Sequence, residues 1–227
     1  MISDKYRCVF IHIPKVAGQS VEHFFLQLHG LSWAERSALL LRYNPDPVRG
    51  PERLAHLTAS EYVSGGFLTA DKFEDYFKFS FVRNPWARLV SEYRYRPIHR
   101  RSSFKDFVTR HLPKKDAYSD AYRHILPQYS FLHDSDGKCI VDFVGRFESL
   151  QTDFDRVCAE LGVSDSRLPH VNSSENRSGR LRMRFGRLLS RPTAREHYTT
   201  FYDDELISIV GEMYRVDVEA FGFEFEK

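Results

Sequence analysis

The chain has 227 residues, a length that suits one generous domain and buries enough surface to need no disulfide or metal staple. Charged residues make up 28% but the formal net charge is only +2, so the chain as a whole lacks the electrostatic footprint of a nucleic-acid binder. No apolar run approaches the ~20 residues that span a bilayer, and the three cysteines, Cys8, Cys139 and Cys158, are an odd set without metal-ligand spacing that reads as reduced thiols.

Residues 6–13, Y-R-C-V-F-I-H-I, are rich in β-branched and aromatic side chains and predict a strand that Pro14 stops. The loop K-V-A-G-Q-S (15–20) follows. Residues 21–29 then carry Val21, Phe24, Phe25 and Leu28 at helical spacing, with Gly30 as the natural residue after the helix. Residues 33–43 predict a second helix, ended by Asn44-Pro45, and loop continues to about Glu52. Thr58 and Glu61 have capping-box spacing, so a short helix begins there and ends at Gly65-Gly66.

Residues 77–82, F-K-F-S-F-V, predict a second strand, and Asn84-Pro85 sets a capping residue before a proline at the first position of a helix that runs to about Pro97. Residues 140–144 predict a third strand, 149–161 a helix closed by Gly162, and 203–214 a last long helix with Leu206, Ile207, Val210 and Met213 on one face. Strands separated by helices argue for an α/β fold with a parallel sheet under helical cover. No repeat or linker divides 1–227, which reads as one domain.

The first strand–loop–helix unit carries chemistry. Backbone N–H groups at a helix start form an anion site, aided by the helix dipole. Gly18 lets the backbone come close to a ligand, Lys15 brings a mobile positive charge, and Ser20 adds a hydroxyl. The bland alternative is an ordinary turn with a surface lysine. The lysine precedes the glycine, so the loop does not match the G-x-x-x-x-G-K-[ST] pattern of nucleoside-triphosphate binders. The segment F-S-F-V-R-N-P-W-A-R-L-V-S-E-Y supplies a second anion site. Arg83 ends a strand, where open α/β sheets bind ligands, and its planar fork can grip a phosphate. Ser91 lies about two turns into the next helix, roughly 10 Å from its start. Two phosphate sites on adjacent strand ends suit a nucleotide phosphorylated at both 5′ and 3′ positions. The bland alternative makes Arg83 a cap or an ion-pair partner and Ser91 a small packing residue. Arg88 and Arg94 read as solvated or ion-paired.

These segments resemble a known family. V-F-I-H-I-P-K-V-A-G-Q-S looks like the 5′-phosphosulfate loop of sulfotransferases, and F-V-R-N-P-W-A-R-L-V-S-E-Y like their 3′-phosphate motif. The resemblance is to the carbohydrate sulfotransferases that include the heparan 2-O- and chondroitin/HNK-1-type enzymes, and A-H-L-T-A-S-E-Y, V-D-F-V-G-R-F-E-S-L and L-P-H-V-N-S-S extend it over most of the chain. It implies a P-loop NTPase-like three-layer α/β fold whose central sheet is mainly parallel. It also implies 3′-phosphoadenosine-5′-phosphosulfate (PAPS) as sulfuryl donor, and no metal. It maps Lys15 to the lysine beside the donor's bridging oxygen and Val16, Ala17, Gly18, Gln19 and Ser20 to the loop amides. Arg83 and Ser91 map to the 3′-phosphate ligands. Relatives carry K-T-A-G-T or K-T-G-S-T; Val16 here removes a hydroxyl but keeps its backbone donor.

A neutral histidine is the usual base near pH 7 for a hydroxyl that must lose its proton. His56, which the resemblance places near the family's catalytic histidine, is the candidate. It precedes the Thr58 cap, where a helix dipole would favour the neutral form. Capping or packing is the alternative role; Glu22 and His124 are the other candidate bases, and His12, inside the first strand, reads as structural. From 177 to 195 seven arginines occur with no acid between them. They read as a solvated insertion, as a lid over nucleotide or anionic acceptor, or as a membrane-surface contact. Arg177 and Ser178 fall where the family has a nucleotide-covering loop. The expected activity is sulfuryl transfer to a glycan or glycolipid hydroxyl in a cytoplasmic protein without a transmembrane segment or nucleic-acid partner. The alternatives are an ATP–Mg kinase or a non-catalytic nucleotide- or glycan-binding protein.

Overall fold

The structure, a computed structural model, describes residues 1–46, 48, 50–169 and 196–226. Its centre is a four-stranded sheet in the order β1 (Ile2–Ser3), β2 (Cys8–Ile11), β3 (Phe77–Val82) and β4 (Phe143–Arg146). β2, β3 and β4 run parallel, with Phe10 opposite Phe79 and Ser80 opposite Val144, while β1 adds an antiparallel edge. The parallel centre agrees with the sequence expectation. The edge strand has two residues and so presents no period to read. β2 is shorter than predicted because Arg7 sits at φ 47 in a turn that its N–H closes onto the Asp4 carbonyl.

All four residues of β2 are buried, which is why it reads as a continuous apolar run, and so are five of the six in β3, Lys78 and Ser80 included. Phe10 stacks on Phe79 with ring centroids 5.1 Å apart. The one hydroxyl there is satisfied: Ser80 Oγ donates to the Ile11 carbonyl at 2.6 Å. Gly145 is required by packing, since a Cβ at that position would lie 2.6 Å from the Phe81 ring.

The helices are α1 (Gly18–Leu28), α2 (Glu61–Ser64), α3 (Ala70–Asp75), α4 (Pro85–Tyr95), α5 (Phe104–Arg110), α6 (Asp120–Arg123), α7 (Tyr129–Leu132), α8 (Leu150–Glu160), α9 (Asp204–Met213) and α10 (Arg215–Phe221). The start of α4 is capped as its sequence predicts: Asn84 Oδ1 accepts from the N–H groups of Trp86 and Ala87 at 3.1 and 3.3 Å. Asp203 does the same for α9. Residues 33–43 do not form the expected α-helix. A 3₁₀ segment covers Trp33–Leu39 and stops where Leu40 turns to φ 63. The helix expected after Thr58 is a single turn, and the predicted third strand starts at Phe143, three residues late. No helix among the described residues is long and apolar enough to cross a membrane. Arg177, Ser178 and the rest of the arginine tract lie outside the described residues.

Arg88 corrects the expectation of a solvated or ion-paired side chain. It is 2% exposed. Nε donates to the Pro14 carbonyl at 3.1 Å, Nη1 to Leu126 at 2.9 Å and Nη2 to His124 at 3.1 Å. One planar guanidinium thereby ties α4 to the end of β2 and to the turn after α6. Arg88→Ala strands three carbonyls, two of whose bonds are fully buried, and is expected to cost about 3–5 kcal/mol. Urea unfolding should show a lower midpoint at an unchanged m value. Arg88→Lys should recover only part of the loss, because an ammonium cannot reproduce the flat fan of donors.

Candidate functional site

β2 runs through Pro14 into a loop with two left-handed residues, Lys15 at φ 75 and Ala17 at φ 68, immediately before α1. Left-handed residues in a short loop before a helix are a feature of anion-binding nests. The start of α1 has no side-chain cap and no acid in its first turn, so its leading amides suit an anionic ligand. Gly18 also has a packing role that its sequence position does not reveal. A Cβ there would lie 2.0 Å from the His12 ring, so the glycine lets the loop rest on a histidine of β2.

Arg83 stands at the end of the neighbouring strand. Its Nη1 donates to the Lys15 carbonyl at 3.2 Å, and its guanidinium carbon lies 4.0 Å from the Phe147 ring centroid. The Arg83 backbone is fixed by Gln128, whose Oε1 accepts the Arg83 N–H and whose Nε2 donates to the Arg83 carbonyl, both at 2.8 Å. Asp217 in turn accepts the backbone N–H groups of Gln128 and Tyr129. Lys15 Nζ lies 4.0 Å over the ring of Tyr95, the last residue of α4. Ser91 is half-buried in the second turn of α4. Arg94 donates to the Glu196 carbonyl at 2.9 Å. The nest, the uncapped helix start and two cationic side chains on adjacent strand ends make a donor set that fits a ligand with two anionic groups.

Beside this loop three buried imidazoles stand in a row. His12 and His56 meet edge-to-face at 5.0 Å between centroids, and His56 and His124 at 5.2 Å. Each has its own carboxylate at Nδ1: Glu22 at 2.5 Å for His12, Asp120 at 2.8 Å for His56 and Glu92 at 2.7 Å for His124. Burial first, then the neighbouring imidazoles, pushes His56 down to about 4 against the pull of Asp120. Burial is thus the leading cause of its neutral form, and α2, the helix whose dipole the sequence suggested, is only four residues long. Asp120 is held at about 2: burial opposes ionisation, and the hydrogen bond from His56, the neighbouring imidazoles and Arg53 overcome it. An ionised Asp120 can only accept, so His56 Nδ1 carries the proton and Nε2 keeps its lone pair.

His56 and His12 open onto a cleft also lined by Gln19, Glu22, Trp33, Arg36, Tyr43 and Arg53. His23 stacks on Trp33 at 4.4 Å, and Arg36 and Arg53 lie over the rings of Trp33 and Tyr43. Gln19 belongs to both the loop and this cleft. Thus Lys15, Val16, Ala17, Gly18, Gln19, Ser20 and Arg83 converge, His56 lies close by, and Glu22 and His124 are each engaged by another partner. Sequence reading missed Asp120, Glu92 and the aromatic–arginine cleft. The available signal was the i,i+4 spacing of Asp120 and His124, which puts them on one helical face.

Comparison with known proteins places these features in context. The sequence model of the Sulfotransferase family matches residues 1–224. Carbohydrate sulfotransferase 11 of Rattus norvegicus and of Mus musculus are each 22% identical over 263 aligned residues, covering 98% of this chain and 66% of theirs, so the chain spans just under two-thirds of their length. An uncharacterized protein of Archaeoglobus fulgidus is 34% identical over 106 residues, 45% of this chain and 81% of its own. No solved structure matches. With a match that runs from the first residue through the loop, the Arg83 strand end and the C-terminal helices, the chain belongs to the sulfotransferase family.

Proposed function

We propose that the protein transfers a sulfuryl group from PAPS to a hydroxyl of a carbohydrate or glycoconjugate. The observation that carries this reading is the hydrogen bond from Arg83 to the Lys15 backbone, which sets two cationic strand ends side by side within reach of one doubly phosphorylated nucleotide. Family membership and the two carbohydrate sulfotransferases among the relatives support it. Residues 16–20 and Lys15 would hold the 5′ end, and Arg83 with Ser91 the 3′-phosphate. When bound, PAPS supplies the sulfuryl group and a phosphate leaving oxygen.

Lys15 provides positive charge where the leaving oxygen gains negative charge, the kind of fixed electrostatic stabilisation that dominates such transfers. His56 Nε2 accepts the proton of the attacking hydroxyl, and Asp120 holds Nδ1–H so that the imidazole keeps the required tautomer. The cleft takes the acceptor. Trp33 and Tyr43 offer faces for a sugar ring, and Arg36 and Arg53 favour an acceptor that carries negative charge.

Binding is tested by thermal unfolding. Adenosine 3′,5′-bisphosphate should raise the midpoint and ATP–Mg²⁺ should not; the opposite pattern would make the protein a kinase. Arg83→Ala should weaken the bisphosphate by about 10–100-fold, as expected for loss of charged hydrogen bonds.

Catalysis is tested with labelled PAPS and a panel of glycan acceptors. Lys15→Ala should lower kcat by about 10²–10³-fold. His56→Ala should lower it by about 10²–10⁴-fold while bisphosphate binding is retained. Transfer rates unchanged in both variants would dismiss these roles and leave a non-catalytic binding protein.

A further inference from the structure

The contacts of His124 leave something unexplained by sulfuryl transfer. Its Nδ1 is 2.7 Å from Glu92 Oε2, and Glu92 is itself ion-paired to Arg96. Glu92 therefore accepts the Nδ1 proton, and Nε2 is the ring nitrogen turned to Asp120. That nitrogen faces Asp120 Oδ2 at 3.8 Å, too far for a hydrogen bond. Two atoms of metal-ligating type thus stand across a gap, with the imidazole of His56 on the other oxygen of the same carboxylate. One donor atom from each of His56, Asp120 and His124 lies within 4.8 Å of the other two.

We propose that His56, Asp120 and His124 form a binding site for a divalent transition metal, with zinc the best fit, and that occupancy silences the protein. Zinc takes imidazole nitrogen and carboxylate oxygen at about 2.0–2.2 Å, and tetrahedral geometry then sets ligand atoms about 3.4 Å apart. His56 Nδ1 lies 2.8 Å from Asp120 Oδ1 and His124 Nε2 3.8 Å from Oδ2, so small shifts close the site once the cation displaces the His56 Nδ1 proton, leaving the neutral ring protonated at Nε2. Two histidines and one acid leave a fourth position for water. The Glu92–His124 pair is the outer-sphere arrangement that metal-bound imidazoles use, a carboxylate on the far ring nitrogen that fixes tautomer and orientation.

A route exists as well. His56 and Arg53 line the open cleft. Arg53 Nε, 3.1 Å from Asp120 Oδ2 on a 42% exposed side chain, sits where the cation would arrive and can swing out to solvent. The silencing rests on the reading of His56 as base, because the metal takes up that imidazole and its carboxylate. The cation site does not depend on that reading.

The full chain, stripped with a chelator and dialysed, is titrated with Zn²⁺ against a chromophoric competitor. One equivalent should bind, and Co²⁺ in its place should give the intense visible spectrum of a tetrahedral ion. His124→Gln, which keeps a donor toward Glu92, and Asp120→Asn should each weaken zinc by at least ~100-fold, more than loss of an outer-sphere partner does. Arg53→Ala should tighten it. Failure to bind, a weak octahedral Co²⁺ spectrum, or equal binding by variants that unfold near the wild-type midpoint overturns the site; the spectrum decides even if a variant does not fold. Sulfate transfer should fall in proportion to zinc occupancy and return with chelator. Full occupancy with undiminished transfer overturns the silencing and the role of His56 as base together, and leaves the cation site standing.

Discussion

The guanidinium of Arg88 holds the site in register. It projects from α4 into the core and binds the carbonyl of Pro14, where β2 gives way to the loop, and the carbonyls of His124 and Leu126 on the other side. Lys15 follows Pro14 directly, and His124 carries one of the three imidazoles. A buried arginine is tolerated only when its donors are used, and here each of its three nitrogens meets a carbonyl. The same helix delivers Glu92 to His124 and Tyr95 to Lys15, so α4 organises both the anion loop and the histidine row.

The histidine row is a different kind of solution to the burial of charge. Three carboxylates sit beneath the surface, and each takes an imidazole Nδ1–H in place of water. Glu92 shows the balance: burial opposes its charge, yet His124, Arg96 and Lys15 hold it at about 2. Arg123 grips Glu61 with two bonds of 2.8 and 2.5 Å nearby and donates to the Ala117 carbonyl, which braces the segment that carries α6. Such paired networks are costly to disturb at one member, since the partner is left charged and unsolvated.

Local signals were legible where the chain itself supplies them. The apolar runs of β2 and β3, the Asn84-Pro85 start of α4, Gly162 after α8 and the Asp203 cap of α9 are all decided within a few residues. Lys15 and Arg83 could be paired because parallel strands place their loops on one edge of a sheet. Residues 33–43 misled because Trp33–Leu39 has helical spacing but no capacity to continue past Leu40. Arg88 misled for a physical reason: its three partners come from residues 14, 124 and 126, and an arginine on an amphipathic helix looks the same from sequence whether it meets solvent or carbonyls. Asp120 was invisible for a related cause, since only the fold brings residue 120 to residue 56.

What joins the two halves of the site is α1. Its first turn begins without a side-chain cap, and from its first five residues Gln19 and Glu22 reach the cleft. Glu22 orients His12, and the His12 ring fills the space a side chain at Gly18 would need. Loop, helix and imidazole are therefore packed as one block, which positions the loop and the row of histidines together. A site for group transfer depends on such positioning more than on any single charge, because reacting atoms must be held within a few ångströms of one another. The choice of glycine at 18 is then a demand of the buried His12 ring as much as of the loop it belongs to.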